Sequence, residues 1–266
     1  MYIKTSVPLL LLILLFVYNG SAQTTGPQKT TIEREGLKGK PTQVKQDRYE
    51  AWTIFGGMVK GTRSKDFRDS YLAIYNDAGN KIEWREYNPD STVLDKYTFV
   101  YDDKGNLTED DLYSAAGVIL SKHTYTYDGS ANLMIEYNYN ETGGLLYRLK
   151  YKHTVTYDSK GNELEWNEFN SAGDLMNKRT SKYDDAGNKI EWSAFEKDGT
   201  LSSKSTCKYD DKGNKIEWNQ YKPDGSLLKK YTYTYEYDKQ GNWVKAIELV
   251  NNAPQSIYIR QIKYTH

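Results

Sequence analysis

From residue 71 onward the chain alternates in short, regular runs. Tyr231, Tyr233, Tyr235 and Tyr237 are interleaved with Lys230, Thr232, Thr234 and Glu236. Tyr97, Phe99 and Tyr101 repeat the stripe, as do Tyr125 and Tyr127. Aromatic residues in strict alternation with polar ones mark half-buried β-strands. A second kind of strand reads Lys-Ile-Glu-Trp at 81–84, 189–192 and 215–218, and Glu-Leu-Glu-Trp at 163–166. Simple alternation puts Ile and Trp on one face of it and Lys and Glu on the other.

Between these strands stands one recurring phrase. Tyr209-Asp210-Asp211-Lys212-Gly213-Asn214 returns at Tyr101 and Tyr183, and in looser form at Tyr75, Tyr127, Tyr157 and Tyr237. The tyrosines are 26, 26, 30, 26, 26 and 28 residues apart. A period of this size signals a repeat architecture. Asp at the first turn position accepts from the backbone two residues on, and Gly at the fourth tolerates the left-handed conformation. Together they describe a type I turn closed by a Gly bulge. Twelve residues after each of the first six phrase tyrosines comes another aromatic: Tyr87, Tyr113, Tyr139, Phe169, Phe195 and Tyr221. Second turns follow several of these, such as Lys222-Pro223-Asp224-Gly225. Each unit is therefore turn, strand, turn, strand.

This grammar predicts an all-β fold: a repetitive antiparallel β-hairpin meander forming an elongated twisted or spiral sheet, of about thirteen to sixteen strands. Residues 71–249 hold the hairpin repeats, 37–70 an irregular N-terminal capping unit and 250–266 a C-terminal capping strand. In a hairpin with the Gly bulge alone, Tyr209 faces Lys215, Lys208 faces Ile216, and Thr206 faces Trp218. Lys204 and Lys208 then share the face of Trp218, and neither face of the sheet is purely apolar. On that register each tryptophan is partly covered, with an edge still open to solvent.

The first residues differ from the rest. Lys4, the apolar run from Val7 to Val17 and the small residues Gly20-Ser21-Ala22 have the form of a signal peptide over 1–22. Polar residues 23–36 read as a flexible leader. This predicts an exported protein, secreted or periplasmic, with no membrane span once the signal is removed. Past Ala22 the balance is 35 Lys and Arg against 36 Asp and Glu, since Lys4 alone falls in the leader. Near-neutrality argues against nucleic acid as a partner. One cysteine, Cys207, excludes an internal disulfide framework.

The phrase, with an aromatic and a second DG-type turn between copies, resembles the YD repeats of the Rhs and teneurin-like families and of short secreted YD-repeat proteins of Bacteroidota-type bacteria. The resemblance covers residues 71–249 well and 37–70 weakly. It implies coiled hairpins and, in long members, a shell around a toxin or other cargo. It also implies binding to carbohydrate or to surfaces.

Candidate chemistry is sparse. Nucleophile elbows, paired-His metal motifs, Cys pairs and phosphate-binding Gly loops are absent from the sequence. No catalytic residue, metal or cofactor is expected. His123 and His153 occupy one repeat position and read as exposed strand residues. The turn aspartates are accounted for by turn chemistry. Glu83, Glu165, Glu191 and Glu217 form a charge stripe on a solvated face, and Cys207 reads as a packing residue. The aromatic rows carry the functional content. Trp84, Trp166, Trp192, Trp218, Tyr231, Tyr233 and Tyr235 are the candidate binding platform, suited to a glycan or a protein surface. The alternative is that the four tryptophans stack on one another as core. The functions in play are a non-enzymatic binding or scaffold role at the cell envelope or exterior, a partner or shell fragment of a YD-repeat toxin system, and a glycan-active enzyme.

Overall fold

The computed structural model describes residues 30–65, 69–127, 133–139, 144–170 and 172–265. The expected signal peptide and residues 23–29 of the expected leader lie outside them. One short helix, α1 (Thr31–Arg34), precedes seventeen strands: β1 (Pro41–Ile54), β2 (Gly57–Arg63), β3 (Tyr71–Tyr75), β4 (Lys81–Tyr87), β5 (Val93–Tyr101), β6 (Leu107–Ser114), β7 (Ile119–Tyr127), β8 (Leu133–Tyr139), β9 (Leu145–Tyr157), β10 (Glu163–Phe169), β11 (Leu175–Tyr183), β12 (Lys189–Phe195), β13 (Leu201–Tyr209), β14 (Lys215–Tyr221), β15 (Leu227–Tyr237), β16 (Trp243–Val250) and β17 (Ala253–Tyr264).

From β3 to β17 each strand pairs antiparallel with the next, as the hairpin grammar predicts. The N-terminal strand β1 lies between the two ends of this run. It pairs with β17 from Gln43 to Glu50 and with β3 from Gln43 to Gln46. The pairings therefore return from the last repeat strand to the first, and over these residues neither β3 nor β17 keeps an open edge.

The turns follow the predicted geometry. In the phrase at 209–214, the Gly213 N–H donates to the Asp210 carbonyl at 3.0 Å, and the Asp210 N–H to the Asn214 carbonyl at 2.9 Å. Gly213 has φ +83°, the left-handed conformation that a Cβ opposes. Asp210 Oδ1 accepts from the N–H groups of Lys212 and Asn214 at 3.0 and 2.8 Å. Asn214 closes the phrase by donating from its side-chain amide to Asp210 and to the Tyr237 hydroxyl of the next phrase.

The register beyond the turn differs from expectation. Tyr209 does face Lys215, but the next pairs are Lys208–Glu217, Cys207–Trp218 and Thr206–Asn219. Ile216 has no partner across the ladder. It is an extra residue, a β-bulge, which turns over every side chain after it. The same step occurs at Ile82, Thr108, Leu164, Ile190 and Val244, and after the second turns at Leu94, Leu120, Met176, Ser202 and Leu228.

The bulges sort the sheet into two unlike faces, replacing the two mixed faces of the unbulged register. Trp218 shares its face with Cys207, Tyr209 and Tyr231. Lys204 and Lys208 lie on the other face. There Glu217 sits between Lys208 and Lys230, at 3.1 and 2.8 Å, and Glu191 between Lys182 and Lys204, both at 2.8 Å. The predicted glutamate stripe is thus a ladder of ion pairs along a charged face.

The core lies on the aromatic face. Val44, Ala73 and Tyr75 are buried together, with Tyr71, Trp84, Ile262, Ile32 and Leu37 packed against them. Ile32 and Leu37 flank or belong to α1, so residues 30–36 are not a flexible leader. Thr30 and Glu33 form a reciprocal capping box that starts the helix. Glu35 then accepts from the Tyr75 hydroxyl and pairs with Lys81 at 2.6 Å. Lys38 continues along the phrase turns, exchanging backbone hydrogen bonds of 2.9 and 2.8 Å with the Asn242 amide.

Candidate functional site

The aromatic face places the predicted platform residues in three settings. Trp84 stacks on Tyr71 with ring centroids 3.9 Å apart, and the Lys81 ammonium lies 4.4 Å from its ring. Trp166 is 9% exposed, with the Arg179 guanidinium 4.4 Å from its ring. Trp218 stacks on Tyr231 at 4.6 Å, with Lys215 at 5.3 Å. Tyr233 and Tyr235 follow at 6.4 Å from each other, and the Tyr235 hydroxyl donates to the Lys215 carbonyl. Tyr235 also approaches Trp243, on which the Arg260 guanidinium lies at 3.5 Å. These contacts hold most of the rings against other rings or against cations, a favourable arrangement for indole and phenol faces.

Trp192 is set differently. Its cross-strand partners are Ser181 on β11 and Ser205 on β13. The adjoining pairs place Ala194 opposite Arg179 and Ser203. The indole is half-buried, and the residues directly facing it on both neighbouring strands are small. The tryptophans of β10, β12 and β14 are each separated by an intervening strand carrying Arg, Ser or Cys at the facing position. They do not stack on one another, because the 26-residue period puts a Trp on every second strand.

Electrostatics fix the charged groups in structural roles. Hydrogen bonds from Lys230 and Asn219 hold the Glu217 carboxyl down to about 2. A carboxylate so firmly ionised is a poor general acid. Asp102, Asp158, Asp184 and Asp210, each at the first position of its phrase turn, are lowered as well. Asp158 and Asp184 are held down by the amides of Asn162 and Asn188. In Asp210 burial acts the other way but is outweighed by hydrogen bonds from Tyr237 and Asn214. Each carboxylate is consumed by its own turn.

His123 corrects one expectation. It is 4% exposed rather than solvated, since its strand presents it to the aromatic face opposite Asp110. Its Nδ1 lies 2.9 Å from Asp110 Oδ2, and the Tyr125 hydroxyl donates to the other carboxylate oxygen. The side chain of His153 lies outside the described residues. Among the described residues no three potential ligands gather to hold a metal ion. A recess of about 410 Å³ opens between the phrase turns at Asp158–Lys160 and Tyr183–Asp185, and it contains none of the tryptophans. Among the described residues no helix is long and apolar enough to cross a membrane.

No protein-family model matches the chain, and no curated protein does. Among solved structures it is similar to a porin-like protein from Bacteroides uniformis, at 13% identity and a TM-score of 0.49, covering 85% of this chain and 98% of that one. A porin-like protein from Bacteroides vulgatus is similar at 12% identity and a TM-score of 0.33, covering 85% of this chain and 99% of that one. TcdB2-TccC3 without its hypervariable C-terminal region is similar at 14% identity and a TM-score of 0.27, covering 80% of this chain and 11% of that one.

Proposed function

We propose that this chain is an exported, non-enzymatic YD-repeat protein that binds carbohydrate through its aromatic face, in a recognition or scaffold role at the cell envelope or exterior. Trp192 carries the reading: a half-buried indole that faces small residues on both neighbouring strands, with the half-buried Ser205 hydroxyl beside it and Ser181 buried beneath the face. A flat apolar ring with a hydroxyl at its side suits a sugar, whose C–H face stacks on the ring while its own hydroxyls take hydrogen bonds. Export rests on the form of residues 1–22. The non-enzymatic reading rests on carboxylates already committed to turns and ion pairs.

A glycan array with the purified protein tests this. We expect retention on a subset of glycans, about tenfold weaker in Trp192→Ala, a loss of about 1.4 kcal/mol. The variant should keep its strand circular dichroism. Absence of any bound glycan, or equal binding by the variant, would overturn the carbohydrate assignment. Release of reducing ends from a bound glycan would instead make the protein an enzyme.

A further inference from the structure

We infer that the β1–β2 hairpin is a membrane-contacting finger whose apolar tip inserts into the interfacial layer of a lipid bilayer. The inference is independent of the aromatic face. Beyond Glu50, β1 leaves its partner β17 and pairs only with β2, through Trp52–Val59, Thr53–Met58 and Ile54–Gly57. Over Ala51–Val59 nine successive residues carry no charge, in a chain that is 27% charged. Trp52, Ile54, Phe55, Met58 and Val59 are all exposed. They project from both faces of the ribbon, because Trp52 with Val59 and Thr53 with Met58 are adjacent cross-strand pairs.

The turn itself opposes folding. Phe55 and Gly56 have φ +51° and +78°, the left-handed pair of a type I′ turn. Asn or Asp normally precedes Gly there, and a bulky residue in this conformation is an outlier. Phe55 is also fully exposed, at 106%. It therefore contributes strain and an uncovered apolar surface, and neither serves the fold.

The geometry favours lipid over a protein groove or a second copy. A one-sided apolar strip suits a groove, whereas a two-sided tip must be surrounded. A specific protein interface uses about 20–30 residues a side, far more than this tip supplies. The order of residues along the ribbon matches the depth profile of a bilayer. The aliphatic and Phe side chains lead. Trp52 follows, its indole lying over Gly61, where an added Cβ would come within 2.6 Å, and its N–H directed to Glu50 at 3.3 Å. Trp prefers the headgroup level, where one end is apolar and the other wet. Lys60 comes next, its ammonium 4.2 Å from the Tyr49 ring, placed to meet lipid phosphate.

The test attaches an environment-sensitive dye to Thr53→Cys in a Cys207→Ser chain, with Asp103→Cys on a phrase turn as the control position. Vesicles of phosphatidylcholine, and of phosphatidylethanolamine with phosphatidylglycerol, are titrated in. We expect a blue shift of the dye at 53 and none at 103. Adding Phe55→Asn should weaken the response about tenfold. Because Asn suits the turn better, the melting temperature of that variant should hold or rise. No shift with either vesicle, an equal shift at 103, or full response in the Phe55→Asn chain would overturn the inference. So would a shift that appears with rising protein concentration and no vesicles, which would make the tip a contact between copies.

Discussion

Trp166→Ala should cost about 3–5 kcal/mol of folding stability, the largest loss expected from any of the four repeat tryptophans. Trp166 is the most deeply covered of them, with Val155 and Arg179 as its cross-strand partners and the guanidinium lying on its ring. Truncation removes the buried indole and leaves Arg179 above an empty site, because the two flanking strands are held by their own ladders and cannot collapse into it. A domain has about 5–15 kcal/mol to lose, so the variant should sit close to its unfolding threshold. Trp192→Ala should cost only about 1–2 kcal/mol, because the ring is half-buried and its cross-strand neighbours are the small residues Ser181 and Ser205. Urea unfolding of both variants measures the difference. Equal midpoints would mean that the two rings are covered alike, and the distinction between core and platform tryptophans would fall.

Alkali should unfold the protein steeply. Burial pushes the phenols of Tyr75, Tyr97, Tyr209, Tyr233, Tyr235 and Tyr258 well above the usual tyrosine range. It pushes Tyr183, Tyr237 and Tyr264 up to about 12. A phenol raised in the fold keeps its proton more tightly there than in the unfolded chain. Its contribution is fully present below the unfolded value near about 10 and is lost as pH rises through the folded value. With so many on one face, the melting temperature should be level from about pH 6 to 9 and fall sharply above about pH 10. Tyrosinate absorbance should appear together with loss of strand signal. Titration of most phenols near pH 10 with the sheet intact would contradict the packing described. The acid limb has the opposite sign. Glu217, Asp184 and Asp210 are lowered, so their contribution is lost as pH falls below about 4. Glu163 and Asp95, raised by burial, partly offset it.

The repeats were legible because their signals are local. A Tyr-Asp-x-x-Gly-Asn phrase states its own turn, and alternation states the strand that follows. What alternation misread was Lys-Ile-Glu-Trp, where the bulge at Ile216 breaks the period of two. A signal for it does exist in the residues. Only the bulged register brings Lys208 opposite Glu217 and Lys182 opposite Glu191, and opposite charges favour facing positions. His123 needed no register to place, since alternation along β7 already sets it on the face of Tyr125 and Tyr127; its burial goes with the pairing to Asp110. The Thr30–Glu33 capping box was also readable, as T-x-x-E before an apolar Leu37, although nothing local shows that Ile32 packs against the cluster of Val44, Ala73 and Tyr75. The place of β1 between β3 and β17 is a contact between distant parts of the chain, and no local pattern encodes it. That Ser181 and Ser205 face Trp192 is again a matter of register.

That register decides which residues surround each tryptophan. Cys207, the single native cysteine, makes it measurable. In the structure Cys207 faces Trp218, whereas without the bulge it would face Glu217. Directly opposed residues of an antiparallel pair lie within the span a disulfide bridges, about 4.4–6.8 Å between Cα atoms. Trp218→Cys and Glu217→Cys are each treated with a mild oxidant, and the bridge is read by mass after proteolysis. A 207–218 disulfide is expected, and none between 207 and 217. A bridge in Glu217→Cys and none in Trp218→Cys would contradict the bulged register.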